Sequence, residues 1–344
     1  MKKIRIYIIC FVFSLIASFI FSNEKLTFAV DGPVINLFKK YSFKNNADSN
    51  VLMLNFDEND FKKYGQWPWK RQTLSKIIDA ISKNEPRGIG LAILLPSSSD
   101  DAGDKALNLS ICKSRNVVEV FIASNTIYPF NYSEKKSEVN KFSIGYVDYL
   151  IYDAYKRIIG QYPRLEKNGD IQSSFSLKLA EFFSATKSHS NLFSNEMIWT
   201  NYYGPKGTFK AINLNDIFKY NLKGIVRDKI IIVGVDFPPA YVSTPFGEMN
   251  MTEAQANLVQ NFIDGNWLRL NFYLNFIIVL IFSFFYCFFL INEKWKYAFG
   301  SSFLFYIVSS YAMLLHGIII SFSSVIFVWV VVSIFLFIFK KVVD

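Results

Sequence analysis

The sequence predicts an α/β domain with a parallel or mixed β-sheet outside a membrane, plus four transmembrane α-helices. Residues 270–292 and 297–339 contain no Asp, Glu, Lys or Arg, and a spanning helix needs about 20 consecutive apolar residues. Between residues 51 and 123, apolar runs typical of buried strands alternate with amphipathic segments. Such alternation is typical of parallel sheets with helical crossovers.

The second uncharged run is too long for one span. Its 43 residues would extend about 65 Å as a single helix, roughly twice the hydrocarbon core. We therefore expect a turn at His316-Gly317, giving spans at residues 270–292, 297–315 and 317–339 and a tail at 340–344. The alternative is a buried hairpin in a soluble core, which rarely contains so many uncharged residues in sequence.

The amino terminus predicts the remaining span. Met1-Lys2-Lys3-Ile4-Arg5 precedes the 18 uncharged residues 6–23, so we expect residues 1–23 to form an uncleaved anchor. A cleaved signal peptide has the same charge pattern. Cytoplasmic loops carry an excess of Lys and Arg, and the lysines of the segments 294–296 and 340–341 therefore predict that both termini are cytoplasmic. Residues 24–269 would be extracytoplasmic in either case.

Hydrophobic periodicity predicts the elements of residues 24–269. Apolar runs predict strands at residues 51–56, 88–95, 116–123, 197–203 and 229–235, the last of them central in the sheet. Helical patterns occur at residues 69–83, 101–113, 173–183 and 252–264. Thr252 and Gln255 have the spacing of a capping box at the start of the last helix. Residues 124–172 show no clear pattern.

Composition argues against several classes of function. The formal net charge is +9, but seven basic residues flank the predicted spans, which leaves no dense basic face for nucleic acid. His189 and His316 are the only histidines, so neither a histidine-based zinc site nor a Ser-His-Asp triad is readily assembled. We expect no enzyme activity, no cofactor, no metal site and no nucleic-acid partner.

Two short motifs have a plainer structural interpretation. Residues 204–208, Gly-Pro-Lys-Gly-Thr, lack the glycine spacing of a phosphate-binding loop, and we expect a turn. Asp100, Asp101 and Asp104 could bind calcium, but they do not alternate as calcium-loop ligands do. Carboxylates at a helix start, where the helix dipole stabilises them, are the favoured interpretation.

The carboxyl ends of the predicted strands offer one candidate ligand site. In open parallel sheets ligands bind beyond these ends, where side chains converge, so a small-molecule ligand of unknown identity is a hypothesis. The candidate residues are Asp57, Ser97, Ser124, Asn125 and Asp236. The alternative is that they serve only as helix caps and turn residues.

Residues 65–71, Gly-Gln-Trp-Pro-Trp-Lys-Arg, resemble a motif of the CHASE2 domain, the extracytoplasmic sensory module of bacterial transmembrane receptors. Pro68 requires an extended Trp67, and we expect both indoles to hold the loop on the sheet rather than to contact a ligand. The resemblance extends from about residue 50 to residue 268. It implies structural roles for Gly65, Trp67, Pro68, Trp69, Arg71, Asn201, Tyr202, Gly204, Gly234, Thr244 and Pro245.

The sequence departs from the family pattern at Ala92, where an acidic residue is usual, and at Gln255, where a histidine is usual. Residues 153–157 resemble an Asp-Gly-x-x-Arg segment only loosely. The resemblance implies a sensor domain ahead of three spans, usually followed by a cytoplasmic output domain.

Only residues 342–344 follow Lys341 in this sequence. We therefore expect a membrane-bound sensor or signal-relay protein that passes its signal to a separate partner. The alternative is a structural or docking subunit of a bacterial envelope or secretion assembly. The expected location is the bacterial cytoplasmic (inner) membrane, and the expected partners are the lipid bilayer and either another membrane protein or a second copy of the chain.

Overall fold

The computed structural model divides into two compact units. The sheet unit contains Phe43–Ile151 and Arg157–Trp267, and the helical unit contains Met1–Ser42, Tyr152–Lys156 and Leu268–Asp344. The structure describes residues 8, 11–16, 19, 31–38, 50–114, 116–125, 127, 129, 143–167, 169–183, 196–291 and 295–343.

The described part of the chain between residues 50 and 267 contains short strands and helices in alternation. The strands are β1 (Val51–Phe56), β2 (Gly88–Leu91), β3 (Val117–Phe121), β4 (Ser143–Tyr146), β5 (Leu150–Tyr152), β6 (Ile158–Gln161), β7 (Arg164–Lys167), β8 (Asp170–Ser173), β9 (Ile198–Trp199), β10 (Ala211–Ile212), β11 (Ile230–Val235), β12 (Tyr241–Thr244) and β13 (Gly247–Asn250). The helices are α1 (Glu58–Tyr64), α2 (Arg71–Ser82), α3 (Asp101–Ser114), α4 (Phe175–Ala180), α5 (Leu214–Lys219), α6 (Lys223–Val226) and α7 (Met251–Asp264).

Six strands form one fully parallel sheet in the order β10-β1-β11-β2-β3-β4. β11 lies between β1 and β2, with Ile232 opposite Met53 on one side and opposite Gly90 on the other. Both faces of the sheet are covered, so β1, β2 and β11 are formed almost entirely of apolar residues and glycine. The predictions of a parallel sheet and of a central strand at 229–235 are confirmed.

Helices cover the two faces of this sheet. Leu54 of β1 shares a buried cluster with Ile77 of α2 and Leu107 of α3. The adjacent Met53 belongs to a cluster on the opposite face, which includes Val259 of α7. The apolar stripe that predicted α2 is therefore the face that the helix buries.

Two predicted strands are shorter than expected. The strand predicted at 88–95 ends at Leu91, although Ile93 and Leu95 remain buried in the core. The strand predicted at 197–203 shrinks to Ile198–Trp199. The backbone N–H groups of residues 201 and 203 donate to asparagine side chains of α7 instead of to a neighbouring strand.

The capping box predicted at Thr252 and Gln255 is wrong. The helix α7 begins at Met251, and the N-cap is Asn250, whose side-chain oxygen accepts the Glu253 N–H at 2.7 Å. The predicted end at residue 264 is confirmed, and Gly265 in the left-handed conformation follows it.

Residues 124–172, which show no clear pattern in the sequence, contain strands in their described part. β4 extends the parallel sheet beside β3. β6 pairs with β9 in a small antiparallel arrangement, and β7 and β8 form a hairpin.

The helical unit contains α8 (Phe272–Ile291), α9 (Trp295–Leu314) and α10 (Phe322–Val343). Among the described helices, α8 alone is long and apolar enough to cross a membrane, with a mean hydropathy of 2.2 over Phe272–Phe289. The apolar parts of α9 and α10, Phe299–Leu314 and Phe322–Ile334, are shorter. The four-span arrangement stays a prediction.

Within this unit the helices pack through a buried aromatic and aliphatic cluster that includes Phe282 of α8, Tyr306 of α9 and Trp329 of α10. The predicted turn at His316-Gly317 is confirmed, because α9 ends at Leu314 and Gly317 has a φ of +73°.

The described residues 11–16 are helical and lie beside α8. Ser14 Oγ is 3.8 Å from Cys287 Sγ, and the rings of Phe19 and Phe272 are 5.7 Å apart. Between these two contacts the residue number rises from 14 to 19 in the first segment and falls from 287 to 272 in α8. The two segments therefore run in opposite directions.

Candidate functional site

The carboxyl edge of the parallel sheet brings two of the five predicted ligand residues together. Asp57 follows β1 and Asp236 follows the adjacent β11, and the Asp236 N–H donates to the Phe56 carbonyl at 2.8 Å. Ser124 and Asn125 follow β3, which β2 separates from β11. Ser97 lies six residues beyond β2, on an exposed loop.

Asp57 is the N-cap of α1, a helix that the sequence did not predict. Its Oδ1 accepts the N–H groups of Asn59 at 2.8 Å and Asp60 at 3.0 Å, while Asp60 Oδ2 accepts the Asp57 N–H at 3.2 Å. Burial raises the pKa of Asp60. At least one oxygen of Asp57 therefore holds the local backbone.

The serines at this edge make backbone contacts. The Ser97 carbonyl accepts Arg71 Nη2 at 2.9 Å. The N–H groups of Ala123 and Ser124 donate to the two carboxylate oxygens of Asp148, at 2.9 and 2.8 Å. Asp148 was missed by sequence reasoning because it follows a four-residue strand in the segment without a clear pattern.

Asp236 forms part of a small charged cluster. Lys206 Nζ lies 3.4 Å from Asp236 Oδ1 and donates to Tyr241 Oη at 2.6 Å. Hydrogen bonding to Tyr241 raises the pKa of Lys206, and the nearby Asp236 adds to the rise. Lys206 belongs to the segment 204–208, interpreted from the sequence only as a turn.

The same turn is held by a buried carboxylate. Glu253, 1% exposed, accepts the Gly207 N–H at 2.8 Å and the Phe209 N–H at 3.3 Å. Burial raises the pKa of Glu253, and backbone donors, led by Gly207, oppose the rise. A buried carboxylate without these donors would cost several kcal/mol, so the turn and the first turn of α7 depend on each other.

Two asparagines of α7 hold the chain next to this turn. Asn261 Oδ1 accepts the Asn201 N–H at 2.8 Å, and Asn261 Nδ2 donates to the Asn201 carbonyl at 2.9 Å. Asn257 Oδ1 accepts the Tyr203 N–H at 2.9 Å. The Tyr202 hydroxyl donates to the Ile158 carbonyl at 2.8 Å. The side-chain amides thus replace a neighbouring strand.

Four more of the predicted motif residues lie in or beside the strands and turns around α7. A Cβ added to Gly234 would lie 2.1 Å from Thr252 Oγ1, so only glycine permits the close approach of α7 to β11. Thr244 Oγ1 donates to the Gly247 carbonyl at 2.7 Å, which closes the turn that contains Pro245 between β12 and β13. Gly204 is buried at the end of the asparagine-held segment.

Trp67 and Trp69 pack on the sheet. The Trp69 ring lies 4.7 Å from that of Phe56, and the Trp67 ring lies 6.1 Å from it. Trp69 Nε1 donates to the Gly65 carbonyl at 2.7 Å. The next motif residue, Arg71, is 8% exposed and its Nε lies 3.5 Å from Asp104 Oδ1. These contacts are compatible with the structural role expected for the motif, which stays a prediction.

The carboxylates considered for calcium serve other contacts. Asp100 Oδ1 accepts the Gly103 N–H at 2.6 Å, and Asp104 Oδ2 accepts the Ser99 N–H at 2.9 Å. Within the described residues no group of three or more His, Cys, Asp or Glu side chains could hold a metal ion. His189 lies outside the described residues.

Gln255 differs from its neighbours on α7. Its side chain is 1% exposed, and among the described residues neither its amide nitrogen nor its amide oxygen has a hydrogen-bond partner. It stands at the position where the CHASE2 pattern usually has a histidine.

A family model described as the CHASE2 domain matches residues 9–290 of the chain. No curated protein matches the chain, and no solved structure matches the chain.

Proposed function

The chain belongs to the CHASE2 domain family, and from this premise we propose that it is a membrane-bound extracytoplasmic sensor that relays its signal to a separate partner protein. The sensor character is that of the family. A relay also requires a link between the sheet unit and the helices that would contact the partner.

One observation carries the relay proposal. The helix α7 ends at Asp264, and five residues later the strand β14 (Arg269–Leu270) pairs in parallel with β15 (Ile318–Ile319). β15 lies in the connection between α9 and α10. The Arg269 N–H donates to the Gly317 carbonyl at 3.0 Å. The linker from the sheet unit is thereby hydrogen-bonded to the connection between the last two helices.

Polar contacts extend this connection. Asn275 Oδ1 of α8 accepts the Ser321 N–H at 2.9 Å, and Asp31 Oδ1 accepts the Ser323 N–H at 2.7 Å. Asn275 and Asp31 are each 1% exposed. Because buried hydrogen bonds of this kind resist separation, a displacement of the linker would move the start of α10.

The proposed topology has four spans and two cytoplasmic termini, with residues 24–269 outside the bacterial inner membrane. The distribution of lysines supports it. The antiparallel course of the described residues 11–16 and 19 along α8 also supports it, because a first span that leaves the cytoplasm must run opposite to a second span that returns.

We assign the input to the carboxyl edge of the sheet, where Asp57 and Asp236 follow adjacent strands and Lys206 contacts both Asp236 and Tyr241. A small polar ligand there would perturb the 204–208 turn and, through Glu253, the start of α7. The proposed role is binding without catalysis.

Crosslinking in native membranes tests the relay. A photoreactive amino acid at Val330, which is 49% exposed on α10, should give an adduct with a separate protein. Arg269→Pro, which removes the N–H bonded to Gly317, should change that adduct, whereas Arg269→Ala, which keeps it, should not. An adduct that Arg269→Pro leaves unchanged would favour a docking subunit of an envelope assembly.

A further inference from the structure

The segment Tyr152–Lys156, which the proposed function does not use, belongs to the helical unit although it starts at the last residue of β5 and ends shortly before β6. Tyr152 is 45% exposed and Tyr155 is 70% exposed, and Ala154 and Lys156 are exposed as well. Two tyrosines and a lysine therefore project from one short turn.

The turn is well formed. Asp153 Oδ1 accepts the Tyr155 N–H at 2.9 Å, and the Lys156 N–H donates to the Asp153 carbonyl at 3.0 Å. Lys156 has a φ of +59°. Asp153 is 5% exposed, whereas the side chains on either side of it are exposed.

A buried contact ties this turn to the helical residues 31–38. Asn36 Nδ2 donates to Asp153 Oδ2 at 3.1 Å, and both residues are buried. Five residues earlier, Asp31 accepts the N–H of Ser323 in the first turn of α10. Five residues of helix rise about 7.5 Å, so this short helix connects the turn to the start of α10 over about that distance.

Other exposed apolar side chains occur beside these contacts, two residues before Asn275, which accepts the Ser321 N–H, and next to Asn36. Tyr273 in the first turn of α8 is 77% exposed, and Leu37 is 56% exposed. Tyrosine is enriched where a membrane meets water, because its ring is apolar and its hydroxyl is polar. Lysine keeps its ammonium in the polar layer while its stem covers apolar surface.

We propose that Tyr152–Lys156 is a lipid-contacting turn, with Tyr152 and Tyr155 in the headgroup layer of the outer leaflet and Lys156 beside lipid phosphate. The inference rests on the proposed topology. A phospholipid surface is the occupant because the turn belongs to the unit that contains α8 and lies near the same end of the helices as Tyr273.

Spin labels test this proposal in the full chain, with Cys10, Cys112 and Cys287 replaced by serine and the protein reconstituted in vesicles of phosphatidylcholine and phosphatidylglycerol. The labelled variants are Tyr155→Cys, Tyr273→Cys as the interface reference, and Tyr220→Cys as the aqueous reference. Tyr220 is 62% exposed in the sheet unit. Ala154→Cys repeats the measurement if the Tyr155 variant does not fold.

The readout is the ratio of two collision rates of the spin label. One is with oxygen, which concentrates in lipid, and the other is with a water-soluble nickel chelate. We expect the ratio at residue 155 to match residue 273 and to exceed that at residue 220 several-fold. A ratio equal to that at residue 220, or an immobile label shielded from both reagents, would overturn the proposal. If residue 273 also behaved like residue 220, the topology itself would have failed.

Discussion

The backbone N–H of Ser323 donates to Asp31 Oδ1 at 2.7 Å across 292 positions of the sequence. Ser323 is the second residue of α10, whose first N–H groups have no partner within the helix. A residue near the amino terminus of the chain thus caps its last helix. This contact links the segment after the first predicted span to the start of the last.

Replacing Asp31 with alanine should loosen the start of α10. Loss of a side-chain cap costs about 0.5–2 kcal/mol, which corresponds to a roughly 2- to 30-fold larger equilibrium constant for local opening. Hydrogen exchange of a peptide that contains Ser323 measures this local opening. Asp31→Asn keeps an acceptor oxygen and should retain the protection. Equal protection in the alanine variant would show that the contact is not a cap.

Trp69→Ala should destabilise the sheet unit strongly, because Trp69 is 5% exposed and packs on Phe56. Removing a buried Trp costs about 3–5 kcal/mol, a large share of the roughly 5–15 kcal/mol that stabilises a domain. Thermal denaturation of the detergent-solubilised full chain measures the loss. Trp67→Ala should cost less because Trp67 is only half-buried. If Trp69→Ala left the melting temperature unchanged but altered ligand binding, the motif would contact a ligand instead of holding the loop on the sheet.

Gln255→Met should raise the stability of the chain. An unsatisfied buried amide costs about 1–3 kcal/mol, and an apolar side chain of similar size removes that cost. Asn261→Ala is the matched control, since its amide holds both backbone groups of Asn201 and its loss should lower the melting temperature. If Gln255→Met also lowered it, the Gln255 amide would have a partner such as a bound ligand.

Stability should depend on pH through Glu253. Its folded-state pKa lies above the ordinary value of 4.5, so the folded protein binds this proton more tightly than the unfolded chain does. The resulting stabilisation is complete below 4.5 and is lost as the pH rises through the folded-state pKa. Melting curves of the wild type and Glu253→Gln between pH 4 and pH 8 should therefore differ in slope. Parallel curves would contradict the raised pKa.

The central part of the fold could be predicted because its signals are local. The apolar runs that became β1 and β11, and the periodicity of α2, report burial directly. The helix α1 could not be predicted because its seven residues directly follow a strand, although Asp57 and Asp60 form a capping box at its start. β4 was missed because four residues carry too little pattern.

The polar residues of α7 show the same limit at the site. Polarity usually predicts an exposed helix face, yet Glu253, Asn257 and Asn261 are at most 1% exposed. Their partners lie in residues 201–209, roughly fifty positions earlier. Nothing local in the sequence reports such a pairing, so it became visible only when the fold brought the two segments together.

The last prediction concerns topology, on which both proposals rest. In a background with Cys10, Cys112 and Cys287 replaced by serine, Tyr220→Cys should react with a membrane-impermeant maleimide in cells whose outer permeability barrier is open but whose inner membrane is intact. Asp344→Cys should react only after the inner membrane is opened. The physical reason is the lysine-rich flanks at residues 294–296 and 340–341, which resist transfer across the membrane. The opposite labelling pattern would place the sheet unit in the cytoplasm and exclude an extracytoplasmic sensor.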